Sequence, residues 1–354
     1  MAITAAMVKE LRETTGAGMM DCKKALVKTE GNMEEAIDFL KKKGLSSAGK
    51  KSDRIAAEGS VIVKISDDNK KAILVEVNAE TDFVAKNEQF INFTKTVADH
   101  IYSGDFSDIN ALHSSDIDGA NFQDFVSTNI STIGEKIVVR RFVTATANDN
   151  EVVNGYIHMG GKIGVLVKAS FDIAEMKEKV EEFLKQLAMH IAALKPEILS
   201  YTEFDADFVQ KETEGMIKKV EKDNEERARL KKPLLNVPQF VSKLQLTDEV
   251  METIVQQIKN ELKAEGKPEK IWDKILPGKV DRFIADNTLL DQEKCLLNQF
   301  YALDDKKSVA EIVIEKGKEF GGNIEIVEFT RFELGDGIKK KEEDFASEVE
   351  AQLK

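Results

Sequence analysis

Three places in this 354-residue sequence hold side chains whose type and spacing invite a chemical reading. His158 stands just before Met159-Gly160-Gly161, where a histidine could act as acid, base or ligand. No serine or cysteine nucleophile with an acidic partner is grouped with it, and a histidine so placed is more often surface decoration. The run Gly155 to Ile163 has the glycines of a phosphate loop, but Gly161 occupies the position that lysine must fill. It also lies in a hairpin and opens no helix, so a nucleotide site in this chain is rejected. The third place, Thr81-Asp82-Phe83-Val84-Ala85-Lys86-Asn87-Glu88, offers no reactive group. Its chemistry is recognition: an aromatic ring that could anchor in a partner's pocket, with a carboxylate beside it.

The elements around that third stretch are well marked. Ile73 to Val77 reads as a strand, and Phe90, Phe93, Val97 and Ile101 give the next helix its apolar stripe. Two candidate N-caps, Asp82 and Asn87, sit five residues apart where one helix needs one cap. Either a short separate turn holds Phe83 away from the stripe, or Phe83, seven residues before Phe90, extends it into the core.

Upstream, the first fifty residues form three short helices. Thr4 caps the first, Thr15 to Gly18 ends it, Met19 opens the second, and Gly31-Asn32 precedes the third. Met19 and Met20 serve either as an adaptable contact surface or as core. Lys41 to Arg54, polar and basic with no interleaved aromatic, reads as a linker. Strand pairs recur at Gly59–Ile65 with Ala72–Val77 and at Val153–Met159 with Lys162–Lys168, the second closed by a two-residue Gly160-Gly161 turn. Each pair leads into an amphipathic helix, and the helices end alike in His100-Ile101 and His190-Ile191. Those histidines read as helix-dipole partners rather than metal ligands.

Between the repeats, Phe122 to Ile130 reads as a helix and Ile133 to Arg141 as a turn into a strand. Asp205 to Leu230 reads as a solvated or coiled-coil helix, and Thr247 caps a helix striped by Val250, Ile254, Ile258 and Leu262. A further helix starts at Ile271 and is broken by Pro277-Gly278; Asp291 to Leu303 and Ser308 to Glu315 read as helices. Asn323 to Glu333 reads as the last core strand, and Ile338 to Leu353 as an acidic helix.

Composition narrows the function class. With 42% hydrophobic and 32% charged residues the chain is that of a soluble multidomain protein, and its net charge of −13 disfavours nucleic-acid binding. Cys22 and Cys295 are too far apart in sequence to indicate a disulfide framework or metal cluster. No apolar run reaches the length of a membrane span and no signal peptide begins at Met1, so a cytoplasmic protein without membrane contact, cofactor or metal is expected.

Thr14 to Leu26 and Thr81 to Asn87 together resemble the bacterial elongation factor Ts family, guanine-nucleotide exchange factors for the translational GTPase elongation factor Tu. Met189 to Ala193 with Lys195-Pro196-Glu197, and Arg331 to Gly335 into Asp344 to Ala346, carry the likeness further, over about residues 1–200 and 305–354. The resemblance implies an α+β protein: a UBA-like three-helix bundle with linker (1–54), a duplicated strand–strand–helix core (55–145 and 146–200, completed by 306–335), a helical coiled-coil arm (201–305) and a C-terminal helical module (336–354). The arm is longer than the family's usual one around Leu230 to Ile258.

It further implies that Thr81, Asp82, Phe83 and Val84 enter the GTPase beside its magnesium site, with Ile133, Gly134 and His158 against the same region. Arg12, Met19, Met20 and the C-terminal helix would meet the nucleotide-binding domain. Asp82 is expected mainly to cap the turn that presents Phe83, with repulsion of phosphate a minor part. No residue is assigned a catalytic role, and whether core or arm forms a homodimer stays open. A passive assembly scaffold is the rival reading, and an enzyme built on His158 a weaker one.

Overall fold

A computed structural model describes residues 2–339 of the chain. The C-terminal helix and the module beyond residue 339 lie outside the described residues.

At the N-terminus, α1 (Ala5–Thr15), α2 (Met19–Lys28) and α3 (Met33–Gly49) form the bundle. Thr4 Oγ1 accepts from the Met7 amide, and Gly16 ends α1 in the left-handed conformation at φ +65°. Leu11, Cys22, Ala25, Leu26 and Ala36 are sealed inside. Residues 41–49, expected as linker, continue α3 instead. The lysines face outward, while buried Gly44 packs on a later helix, where an added Cβ would lie 3.5 Å from Ser127 O. Tertiary packing on one face sustains a helix whose composition alone reads as loop.

The core begins with β1 (Glu58–Ile65) and β2 (Lys71–Ala79), then α4 (Asp82–Ala85), α5 (Glu88–Ser103) and α6 (Ile109–His113). A small ribbon, β3 (Asp116–Ile117) with β4 (Ala120–Asn121), leads to α7 (Phe122–Ile133) and β5 (Ile137–Thr146). β2 is central in an antiparallel sheet of order β1-β2-β5. One face of it packs Ile73, Val75 and Val77 on Phe90, Phe93 and Val97 of α5 and Ile130 of α7. The other packs Ala72 and Leu74 on Val153 and Leu166 of the second hairpin. Burial on both faces explains why β2 reads as a continuous apolar run rather than an alternation.

That second hairpin is β6 (Glu151–His158) and β7 (Ile163–Phe171), followed by α8 (Lys177–Leu194). His158 pairs with Ile163, so the connection is four residues, not the two expected. Met159, Gly160 and Gly161 all take positive φ there, which a two-residue turn cannot accommodate. His100 also departs from expectation. Its Nε2 lies 2.8 Å from Ser115 Oγ, its ring meets Phe106 and Phe122, and burial pushes its pKa below the ordinary histidine value. That shift favours the neutral ring and weakens the helix-dipole role expected of it.

Then follow α9 (Ala206–Arg229), α10 (Asp248–Ala264), α11 (Trp272–Asp286), α12 (Leu289–Lys294), β8 (Phe300–Tyr301), β9 (Asp304–Ser308), α13 (Val309–Phe320) and β10 (Ile324–Glu333). α11 runs through Pro277 rather than stopping at it. Ile254, Ile258 and Leu262 of α10 pack on Trp272, Ile275, Leu276, Val280 and Phe283, and this seam outweighs the missing donor. The helix expected over 291–303 ends at Lys294, because Cys295 goes extended to pair with Ile198 and the Leu296 amide donates to Ile198 O at 2.9 Å. A hairpin follows where helix was expected. α13 extends to Phe320, beyond the expected Glu315.

The sheet of order β10-β7-β6 repeats the first in topology, with the second strand of each hairpin central. Of the described residues, 2–170, 177–192 and 329–339 form one compact unit, and 171–176 with 193–328 another. Among the described residues, no helix is long and apolar enough to cross a membrane.

Candidate partner-binding site

Beyond the end of the β2–β5 ladder, two carboxylates tie the chain in a reciprocal latch. Glu80 Oε1 accepts from the Lys136 amide at 2.5 Å, and Glu135 accepts from both the Thr81 amide (3.0 Å) and the Thr81 hydroxyl (2.7 Å). Thr81 Oγ1 in turn accepts from the Val84 amide, so Thr81 is the N-cap of α4. Asp82, expected to cap, is instead the first helical residue. Its carboxylate reaches forward to Lys86 Nζ at 2.8 Å, and Lys86 holds it below the usual carboxylate range. Asn87 caps α5 separately by accepting from the Gln89 amide.

One turn of helix thus divides its side chains. Val84 and Ala85 lean on the core beneath, while Asp82 and Phe83 face solvent, Phe83 with 81% of its surface exposed. Phe83 does not extend the stripe of α5. An aromatic ring left in water on a turn held by capping and two carboxylates forfeits the burial that residue type normally gains.

The structure brings three of the other expected residues to the same region. Half-buried Ile133 ends α7, and Gly134 follows at φ +93°, turning the chain so that Glu135 faces Thr81. His158 is half-buried at the end of β6, with Nδ1 3.1 Å from Tyr156 Oη. The Val61 amide donates to Gly161 O at 2.7 Å, fixing the β6–β7 tip on β1. The Lys162 charge also acts on the Asp82 carboxyl.

Arg12, Met19 and Met20 lie apart on the bundle. Both methionines are exposed, at 60% and 63%, so neither belongs to the core. Among the described residues, no hydrogen bond or ion pair ties these three to the turn.

Tyr156 Oη lies within hydrogen-bonding distance of His158, and among the described residues no carboxylate hydrogen-bonds to the pair. Cys22 and Cys295 are buried, and burial pushes the Cys295 thiol up. Among the described residues, no cluster of histidine, cysteine and carboxylate side chains could hold a metal ion. Sequence reasoning missed Glu135 and Glu80; the one available signal was an acidic residue between a helix-ending glycine and a strand.

A family model described as Elongation factor TS matches residues 80–233 and 235–336. Elongation factor Ts of Campylobacter curvus is 52% identical over 353 residues, covering 100% of both chains. The chain belongs to the elongation factor Ts family. Elongation factor Ts of Helicobacter hepaticus is 50% identical over 351 residues and that of Helicobacter pylori 49% over 352, each covering 99% of both chains. The likeness therefore runs through the arm as well as the core, and the long arm is shared with these relatives.

Proposed function

We propose that this protein is a guanine-nucleotide exchange factor for elongation factor Tu in translation elongation. It acts by lodging the Asp82-Phe83 turn beside the magnesium site of that GTPase. The observation that carries the reading is the exposure of Phe83 on a latched turn. Guanine nucleotides are held by phosphate-loop amides and a bound magnesium ion. A protein that binds the nucleotide-free GTPase more tightly must weaken nucleotide binding by the same factor, because the coupling is reciprocal.

Phe83 supplies differential contact in the opened form, and the latch supplies rigidity, so little conformational entropy is lost on docking. Asp82, paired with Lys86, adds a carboxylate where phosphate and metal-site carboxylates are also negative, and repulsion becomes its main role in place of capping. Ile133, Gly134 and His158 complete the contact. Met19, Met20 and Arg12 contribute affinity through a separate surface. Nothing in this cycle requires a catalytic residue, a cofactor or nucleic acid in this chain.

Stopped-flow release of labelled GDP tests the reading. Phe83→Ala should lower stimulated release by about 30-fold, equivalent to about 2 kcal/mol of lost anchor contact. Stimulation equal to that of the parent removes Phe83 from the mechanism. A scaffold, the rival class, would bind the GTPase without accelerating release at substoichiometric amounts.

A further inference from the structure

We propose that Met159, at the tip of the β6–β7 hairpin, is a second apolar anchor for the GTPase partner; this rests on the function proposed above. Six described non-glycine residues have positive φ, and Met159, at +51°, is the apolar one among them. Gly160 and Gly161 beside it adopt φ of +65° and +95° without penalty. A glycine at 159 would do the same, whereas an unbranched side chain there is strained. Packing does not explain the residue either, because Met159 is 65% exposed. Neither backbone preference nor the core accounts for a methionine here, and contact with another molecule would.

Its position points to the partner of the Phe83 turn. Gly160, the next residue, lines one groove with Ala85 and Lys86 from the end of the Phe83 turn and with half-exposed Ile91 of α5. On the other side Lys162 acts on Asp82. The tip cannot easily lift away. Gly161 is bonded to Val61 and lies so near β1 that an added Cβ would fall 2.3 Å from Ser60 Oγ. The tip that carries Met159 and the turn that carries Phe83 thus border one groove. The occupant that fits is an apolar surface of the GTPase next to the pocket that receives the ring. A flexible thioether suits a surface that changes shape as nucleotide leaves.

The test is titration of the nucleotide-free GTPase with the full chain carrying Met159→Gly, Met159→Gln, Met159→Leu or Phe83→Ala. Gln keeps the length and the backbone preference of Met and changes only polarity. Gly and Gln should each weaken association by about tenfold, and Leu should restore it to within about twofold. Chemical denaturation of Met159→Gly should give a midpoint above that of the parent, since the strain is gone; a lower one overturns the strain argument. Parent-like binding by the Gly and Gln variants, with Phe83→Ala weakened, overturns the second anchor and leaves the exchange reading standing. Parent-like binding and GDP release by Phe83→Ala would instead remove the Phe83 turn from the mechanism, and this inference with it.

Discussion

Each half of the duplicated core sends its central strand into a turn, and the two turns end differently. β2 is followed by α4, which leaves Phe83 in solvent. β7 is followed by a short 3-10 turn, Ala174–Met176, whose Met176 is fully buried. Gly322 makes room for it, since a Cβ there would come within 2.7 Å of Met176 Sδ. The fastening is alike. Thr81 is held by Glu135, two residues before β5, and Asp172 accepts from the Asn323 amide (2.8 Å) and side chain (2.7 Å), one residue before β10. Topology thus decides where the turn is pinned in both halves. Whether the pinned turn becomes core or contact is decided by which side chain follows the latch and whether a neighbour leaves space for it.

Truncating the two side chains tests this most severely. Met176→Ala should destabilise the fold by about 2–5 kcal/mol, as buried methionines do, and should change GDP release only in proportion to the folded fraction. Phe83→Ala should leave the denaturation midpoint where it is and act on the partner instead, in slower stimulated release and weaker association. Equal destabilisation by both would break the comparison. The latches come next. Glu135→Ala strands the Thr81 amide and hydroxyl, at about 2 kcal/mol, and should speed hydrogen exchange at Thr81 while lowering stimulated release. Asp172→Ala should loosen the second turn and leave release untouched. If it slows release as much as Glu135→Ala does, the two turns are not functionally distinct.

Much of this was legible in the sequence because it is local. The Thr4 cap, the stripe of α5, the strand pairs and the cap at Asn87 all follow from residues within a turn or two of each other. The latch was not, because Thr81 and Glu135 are 54 residues apart. Nor was the exposure of Phe83, since its seven-residue spacing from Phe90 fits a stripe equally well. Composition misled at residues 41–49, where Gly44 and lysines read as loop until α7 supplies a packing surface. Pro277 misled for the same reason, as the α10–α11 seam lies outside any local window. Glu76 gave no warning inside an apolar strand, because its donors come from Arg140, Arg141 and Gly335.

The same dependence on distant partners separates two buried carboxylates, one in each compact unit, and gives the smallest effect of the set. Glu76 accepts from Arg140 Nη1 (2.9 Å), Arg141 Nε (2.6 Å), the Gly335 amide (2.8 Å) and Asn78 Nδ2 (3.1 Å). Burial pushes its pKa up, but the Gly335 amide and the two guanidiniums outweigh that and hold it below the usual range. Asp291 is buried as fully, yet only its Oδ2 takes the Lys243 amide (2.7 Å), and its Oδ1 has no hydrogen-bond partner. Burial prevails there over Ser242 and Lys243, and its pKa is raised. The signs are opposite. Stability from Glu76 is complete above the ordinary glutamate value of about 4.3 and is lost as pH falls through its lower native value. The contribution of Asp291 is present below the ordinary aspartate value of about 3.9 and is lost as pH rises through its higher native value. Acidification from neutrality toward pH 4, by order of magnitude, should therefore strengthen the second unit before it weakens the first. Trp272, the single tryptophan, reports on the second unit. Asp291→Asn should raise the Trp272 denaturation midpoint at neutral pH, by less than about 1 kcal/mol, and flatten its pH dependence. A lowered midpoint, with the parent's pH dependence kept, would mean that the unpaired oxygen costs nothing and that Asp291 resembles Glu76 after all.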